Sequence, residues 1–173
     1  SDLMLFSSTV ATAAVIGGSG GDSLVFDGVL SNSTIDFGAD ADSLRLSAAA
    51  TSTTILGGAG NDTFVFTSGA NLVTSSVTGG ADADSLVFSA VVKSATTISG
   101  GGGADSFIFN SSVGGAYVSL DSGADSVTFG TTVTGASIHG GNGTQTVVFS
   151  SQADSVSFYG SFGGGSIKGG SGN

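Results

Sequence analysis

An aspartate preceded by glycines returns about every 20 residues along this chain, and this period constrains the fold more than any other feature of the sequence. The positions are Asp2, Asp22, Asp42, Asp62, Asp84, Asp105, Asp125 and, in the same phase, Gln145. The steps between them are equal except for the two on either side of Asp84, which are slightly longer. A nearly fixed period of this size is typical of a solenoid in which each repeat forms one coil. We therefore expect about eight coils of roughly 20 residues.

Each repeat places a short strand directly after its aspartate. Large apolar residues stand at alternate positions, as in Phe64-Val65-Phe66 and Phe107-Ile108-Phe109. Because side chains alternate between the two faces of a strand, the outer two residues of each triplet should point inward and stack on their counterparts one coil away. No segment shows a helical period, so the sequence predicts an all-β parallel solenoid with a core of Leu and Phe and no helix.

The second half of each repeat carries one recurring aliphatic residue, usually with Ala, Ser or Thr two positions before it. The aliphatic residues are Val15, Ile35, Ile55, Val77, Ile98, Val118, Ile138 and Ile167. Small residues facing aromatic ones let two sheets approach closely, which favours a flattened coil with two faces. A three-sided coil with an extra short strand near Val29 and Val133 remains the alternative.

The end of the chain departs from the period. Between Gln145 and the phrase that starts at Gly169 the step lengthens by about half a coil, and we expect residues 152–161 to form an added bulge or loop. The last five residues, GGSGN, joined to Asp2 and the residues after it, read GGSGNDLMLF, which is one complete phrase in phase. Residues 1–173 are therefore expected to be a single solenoid module, one unit of a longer tandem or head-to-tail array.

The charge of the chain belongs to its turns. All 13 acidic residues are Asp, the net charge is −10, and Arg45, Lys93 and Lys168 are the basic residues. Three cations make no patch for a phosphate backbone, so nucleic acid is excluded as a partner. Cysteine is absent, which excludes disulfides and thiolate metal sites. No apolar run reaches the roughly 18 residues of a membrane-spanning helix, so membrane insertion is not expected.

Three stretches match the nine-residue pattern GGxGxDxUx, in which U is a large apolar residue. They are GGSGGDSLV at 17–25, GGAGNDTFV at 57–65 and GGGGADSFI at 100–108. In these stretches the chain resembles the RTX, or haemolysin-type, calcium-binding repeat family. The resemblance implies a right-handed parallel β-roll whose successive turns bind Ca²⁺ between them through aspartates and backbone carbonyls. The family usually has two such phrases per coil, and this chain has one, which implies metal at one edge only.

Calcium chemistry also fits the residues themselves. Ca²⁺ takes six to eight oxygen ligands, and glycine turns can point several carbonyls at one place. Alternate coils gain a second aspartate, at Asp40, Asp82 or Asp121, so a site between two turns would hold two or three carboxylates. The predicted ligands are Asp2, Asp22, Asp40, Asp42, Asp62, Asp82, Asp84, Asp105, Asp121 and Asp125, with backbone carbonyls near Gly17, Gly57, Gly79 and Gly100. In the alternative interpretation, the aspartates only cap turns through side-chain to backbone hydrogen bonds. Gln145 predicts a weak or empty seventh site.

The sequence favours a structural protein over an enzyme. His139 is the single histidine and has no acid–base partner within sequence reach. The leading hypothesis is a calcium-stiffened module of an extracellular, cell-surface or filament-forming protein, as the resemblance to repeats of bacterial surface layers implies. Its partners would be other copies or neighbouring repeats, in contact end to end or through an outward aliphatic stripe. The stripe comprises Leu5, Val25, Val65, Val87, Ile108 and Val148.

Two other functions remain open. The first is an accessory module that aids the secretion or stability of a neighbouring enzyme or adhesin domain. The second is an ice-binding solenoid, suggested by a row of hydroxyl residues that Tyr117 interrupts. The row comprises Thr34, Thr54, Ser76, Thr97 and Ser137.

Overall fold

The computed structural model describes residues 1–150 and 155–170, and within them the chain is a β-solenoid of parallel strands without helix. Strands are numbered in chain order. The front sheet stacks one strand per coil: β1 (Leu3–Phe6), β4 (Ser23–Phe26), β7 (Ser43–Leu46), β10 (Thr63–Phe66), β13 (Ser85–Phe88), β15 (Ser106–Phe109), β18 (Ser126–Phe129), β20 (Thr146–Phe149) and β22 (Ser166–Lys168). The predicted all-β solenoid of about eight coils is confirmed.

Two further sets of strands complete each coil. The back sheet contains β3 (Ala14–Ser19), β6 (Thr34–Ala39), β9 (Thr54–Ala59), β12 (Ser76–Ala81), β14 (Thr97–Gly101), β17 (Tyr117–Ser122) and β19 (Val133–Asn142). Both β16 (Val113–Gly114) and β21 (Ser155–Phe162) pair with β19. The short sheet contains β2 (Val10–Ala11), β5 (Leu30–Ser31), β8 (Ala50–Thr51) and β11 (Leu72–Val73). Since none of the described segments is helical, none is a helix that could cross a membrane.

The core is the predicted ladder of inward Leu and Phe side chains. Phe64 pairs in register with Leu44 and Leu86, and all three are fully buried. At the C-terminal end of the front strands the phenyl rings stack nearly parallel, with centroids 4.7 Å apart for Phe66–Phe88 and 4.9 Å apart for Phe88–Phe109. Stacking at this spacing follows from the distance between neighbouring strands, so the aromatic column holds the coils in register.

The preference for a two-faced coil is wrong, because each of the first coils has a third, short strand. Leu30, Ala50 and Leu72 in this strand are fully buried and close a third side of the core. The corner that follows it has positive φ at residues other than glycine, such as Asn32 (47°) and Ser52 (51°). Glycine holds this corner only in two later coils, at Gly115 (64°) and Gly135 (67°), so no repeated glycine marks it in the sequence.

The added half coil expected at residues 152–161 is absent where the structure describes it, whereas the expected bulge is present; residues 151–154 lie outside the described part. Residues 155–162 form β21, which continues the back sheet with Ile138 beside Phe158, and its register with β19 shifts on both sides of this pair, between Thr134 and Ala136 and between His139 and Gly141. Ile167 was assigned to the second half of a coil but lies in the front sheet beside Val147, again one coil away. The last coil thus keeps the period and lacks the glycine–aspartate phrase.

Candidate functional site

A row of buried aspartates runs along the corner where each coil enters the front sheet. The inner Asp row comprises Asp22, Asp42, Asp62, Asp84, Asp105 and Asp125, each no more than 3% exposed. Asp2 has the same position in the first coil and is exposed. Carboxylates are seldom buried unless they are paired, so six of them in one row require a compensating interaction.

One oxygen of each carboxylate has a backbone partner in the coil before it. The N–H of Asp62 donates to Oδ1 of Asp84 at 2.8 Å, and the N–H of Asp84 donates to Oδ1 of Asp105 at 2.8 Å. The same bond joins every pair of successive coils from Asp2 to Asp125, over 2.6 to 3.0 Å. The turn-capping role that the sequence left as an alternative is therefore present. It accounts for Oδ1 alone.

The second oxygen of each carboxylate is buried without a hydrogen-bond partner. This holds for Oδ2 in all six members of the inner Asp row. In the first exact phrase, a Cβ on Gly17 would lie 2.7 Å from Oδ2 of Asp22 and 2.5 Å from the carbonyl oxygen of Phe37. Oδ2 of Asp62, Asp84 and Asp105 lies in the same way against the first glycine of its own phrase. In these four coils a side chain at the glycine would collide with the carboxylate, whereas the buried Phe37 and Leu120 fill the equivalent position in the coils of Asp42 and Asp125.

Burial and neighbouring charge weaken the acidity of Asp42, Asp62, Asp84, Asp105 and Asp125. Burial, followed by the charges of Asp105, Asp62 and Asp82, raises the pKa of Asp84 to about 7. Burial chiefly raises the pKa of Asp62 and of Asp105 to about 6, and it raises the pKa of Asp42 and Asp125 as well. The hydrogen bonds to Oδ1 lower each value in part, and desolvation outweighs them. A charged row at neutral pH therefore costs stability unless a cation or a proton neutralises it.

The second set of aspartates does not form one row. Asp40 and Asp82 occupy the turn position that Gly20 and Gly60 hold in the alternate coils, and all four residues have positive φ. Both carboxylates are exposed, and each accepts the N–H of the glycine in the coil before it, over 2.8 and 3.2 Å.

Asp121 lies two residues earlier in the turn and differs in its partners. The hydroxyls of Ser99 and Ser119 donate to its two oxygens. Asp121, the third of the additional aspartates of alternate coils, therefore has neither the turn position nor the partners of Asp40 and Asp82.

The described residues contain no group of three or more Asp, Glu, His or Cys side chains placed to hold one metal ion. A cage of three carboxylates around one ion is therefore not assembled by these side chains. The turns at Gly17, Gly57 and Gly79 instead each offer one buried carboxylate oxygen near a backbone carbonyl oxygen. Both are hard oxygen donors of the kind that Ca²⁺ accepts, so the donor set fits calcium in type.

Gln145 continues the row in neutral form. It is fully buried, and its Nε2 donates to the carbonyl oxygen of Gly123 at 3.1 Å. An amide can give this hydrogen bond where a carboxylate cannot, so Gln145 shows how the position is filled without a charge.

A buried row of hydroxyls at another corner was missed by sequence reasoning. Ser33, Thr53 and Ser75 each donate to the carbonyl two residues earlier, over 2.7 to 3.1 Å. Two of them also accept a backbone N–H from the coil before, Ser33 from Ala13 and Ser75 from Thr53. The sequence showed these residues only as small ones before an aliphatic residue, whereas they cap the corner after the short strand.

In comparisons with family models, curated proteins and solved structures, no match to this chain was found.

The outward aliphatic stripe is aligned in the front sheet, with Val65 beside Val87 and Val87 beside Ile108. His139 lies on the back sheet, where its Nδ1 is 3.1 Å from the carbonyl oxygen of Gly140. Tyr117, 41% exposed, interrupts the hydroxyl row that suggested ice binding.

Proposed function

We propose that this chain is a structural module of an extracellular or cell-surface protein, and that Ca²⁺ bound along the inner Asp row stiffens it. The observation that carries the proposal is the buried, unpartnered Oδ2 repeated in six successive coils. A cation would supply the interaction that each of these oxygens lacks. The net charge of −10, whose negative charges are all aspartates, also favours the binding of cations.

The residues that would hold the ions are the inner Asp row, with nearby backbone carbonyls such as those of Phe37 and Gly100. Asp40 and Asp82 lie in the same turns and would add exposed carboxylates at their outer side. Bound Ca²⁺ would neutralise the row and link one coil to the next. At 100 times the dissociation constant, each site would stabilise the folded chain by about 2.7 kcal/mol.

Thermal unfolding at pH 8 followed by circular dichroism tests the proposal. We expect millimolar Ca²⁺ to raise Tm strongly relative to chelator, and Mg²⁺ to do so less, because Mg²⁺ demands a tighter octahedral site. Asp62→Asn should reduce the calcium effect. Asp27→Asn should not, because Asp27 is an exposed carboxylate outside the row, paired with Arg45 at 3.2 Å. Equal melting in chelator and in calcium would remove Ca²⁺ from the account.

An extracellular location is part of the proposal because millimolar calcium is available there, whereas a calcium-poor cytosol would leave the row charged and unneutralised. The accessory-module alternative shares the same calcium chemistry. It differs only in what adjoins the module: a catalytic or adhesin domain would favour it, and further repeats of this kind would favour the structural role. We assign no catalytic step to the chain.

A further inference from the structure

The front sheet turns two columns of side chains outward. One column contains the outward aliphatic stripe, with Arg45 and Thr128 as polar members between its aliphatic residues. The other, the front hydroxyl column, has a serine or threonine in each of eight successive coils: Ser23, Ser43, Thr63, Ser85, Ser106, Ser126, Thr146 and Ser166. Because the strands pair in register, the two columns form a regular surface that repeats about every 4.8 Å.

This face has no net charge although the chain carries a net charge of −10. From β4 to β20, all of which the structure describes, the charged residues on the face are Arg45 and, just after its strand, Asp27. They pair with each other at 3.2 Å. The exposed Asp40 and Asp82 lie in the turns instead. Two copies of the chain therefore repel each other least when they meet through the front face.

The order of residues in the stripe column is symmetric about Val87. Moving one coil at a time away from Val87 in both directions, the pairs are Val65 and Ile108, then Arg45 and Thr128, then Val25 and Val148. The two polar members thus lie at equal distances from the centre, and every other pair is aliphatic. This symmetry belongs to the inner coils and does not depend on the first or last coil.

A two-fold axis parallel to the strands and passing over Val87 uses this symmetry. It turns the face onto that of a second copy, keeps the strand direction and reverses the order of the coils. Val87 then meets its own copy, Val65 meets Ile108, and Arg45 meets Thr128. The hydroxyl columns also face each other, and their hydroxyls can each donate and accept, directly or through water.

The area of the face is sufficient for a specific contact. The seven coils from β4 to β20 cover about 34 Å along the solenoid, and the five residues from Ser23 to Asp27 cover about 17 Å across it. Two such faces together bury about 1,100 Å², which is near the lower limit of specific interfaces. Val65, Val87 and Ile108 are only partly buried within one chain, so a second copy would cover them.

We propose that two copies of this chain dimerise face to face through the front sheet, about a two-fold axis that passes between their Val87 side chains. This inference rests on the proposed structural role, for which it names a partner. Because both copies use the same surface, the contact is isologous and closes at the dimer. The two solenoids lie side by side with their coils in opposite order.

Sedimentation velocity of the chain over a range of concentrations tests this proposal, and we expect a monomer–dimer equilibrium that stops at the dimer. Val87→Asp should weaken dimerisation by about a hundredfold or more, because the two carboxylates would meet at the axis. Arg45 and Thr128 show that the column accepts polar side chains, so this variant should fold. Leu56→Asp is the matched control, because Leu56 is a partly buried aliphatic residue that faces outward on the back sheet. It should leave dimerisation unchanged.

A charge exchange tests the register of the two faces. Val65→Lys and Ile108→Asp should each weaken dimerisation by about tenfold, because each places a lone charge in an apolar contact. When both are present in one chain, the lysine of each copy faces the aspartate of the other, and most of the affinity should return. Val65→Lys combined with Val148→Asp is the control for register. Because Val148 faces Val25, this combination should not recover.

A chain that stays monomeric at all concentrations, oligomers that grow beyond the dimer, or a dimer unaffected by Val87→Asp would overturn the proposal. Equal recovery in the two charge combinations would overturn the register. Circular dichroism of each variant shows that its coils remain folded. Running the series in chelator and in calcium separates this proposal from calcium binding. Dimers in both solutions with unchanged Tm keep the interface and refute calcium binding, whereas calcium stabilisation of a chain that stays monomeric does the reverse.

Discussion

Replacement of Asp84 by asparagine is the sharpest test of the charge on the inner Asp row. In the wild type the N–H of Asp62 donates to Oδ1 of Asp84 at 2.8 Å. Asp84→Asn retains this acceptor and replaces Oδ2 with an amide donor. A Cβ on Gly79 would lie 2.8 Å from the carbonyl oxygen of Gly100 and against Oδ2 of Asp84, so a carbonyl is near the new donor. Gln145 already makes such a bond, to Gly123.

The magnitude follows from the pKa of Asp84. The folded pKa is raised from 3.8 to about 7, so the folded chain binds more protons than the unfolded chain between these values. The stability that protonation gives is present below about pH 4 and is lost as pH rises through the folded pKa. At about 1.4 kcal/mol per pKa unit, ionised Asp84 costs about 4 kcal/mol at pH 8. Asp84→Asn removes this cost.

Urea unfolding of both chains in chelator, at pH 4 and pH 8, measures the difference directly. We expect Asp84→Asn to increase the free energy of unfolding by up to about 4 kcal/mol at pH 8 and to change it little at pH 4. In calcium the difference in the free energy of unfolding between the two chains should become smaller or change sign, because the wild-type carboxylate then has a cation beside it. A variant that is less stable than the wild type in chelator at pH 8, or a difference independent of pH, would refute the reasoning.

Three further substitutions examine the turns. Gly57→Ala should destabilise the chain by about 1–3 kcal/mol in urea unfolding, because its methyl would collide with Oδ2 of Asp62 and the carbonyl oxygen of Gly79. Gly102→Ala is the control and should be tolerated, since its Cβ would meet only a serine hydroxyl at 3.5 Å; a loss equal to that of Gly57→Ala would contradict this reading. Gln145→Asp should lower Tm at pH 8 in chelator and enlarge the calcium effect, and an unchanged Tm in both solutions would count against a row that extends to this coil.

The sequence predicted the period, the inward Leu and Phe residues and the aspartate at the turn because each depends on contacts between equivalent positions one coil apart. Phe64, for example, packs between Leu44 and Leu86, and a nearly constant repeat length places these positions together whatever the rest of the coil does. The stacking of identical positions is therefore readable from the spacing alone.

The third side of the coil could not be predicted from the sequence in the same way. Its strand is two residues long, and the corner after it uses Asn32, Ser52 and Thr74 at positive φ instead of glycine. Side-chain hydroxyls stabilise that corner in place of the usual turn residues. The last coil was misread for a related reason: without a glycine–aspartate phrase, only pairing of β21 with β19 reveals that the period continues.

The sequence predicted which aspartates belong to the candidate site, but it did not predict how their carboxylates are oriented. The repeat identified Asp22 through Asp125, but spacing cannot show that Oδ1 is used by a backbone N–H and that Oδ2 is left buried. Spacing places Asp121 two residues earlier in its turn than Asp40 and Asp82, but it could not show that Asp121 accepts serine hydroxyls where the other two accept glycine N–H groups. Those contacts depend on the φ angles of individual turn residues.

Calcium bound per folded chain is the measurement that tests the central claim most directly. Equilibrium dialysis at pH 8 and millimolar Ca²⁺, with native mass spectrometry of the same samples, counts the ions. We predict more than one bound ion per chain, fewer in Asp62→Asn, and an unchanged number in Asp27→Asn. A folded chain that binds no calcium under these conditions would contradict the account and leave the inner Asp row with its capping role alone.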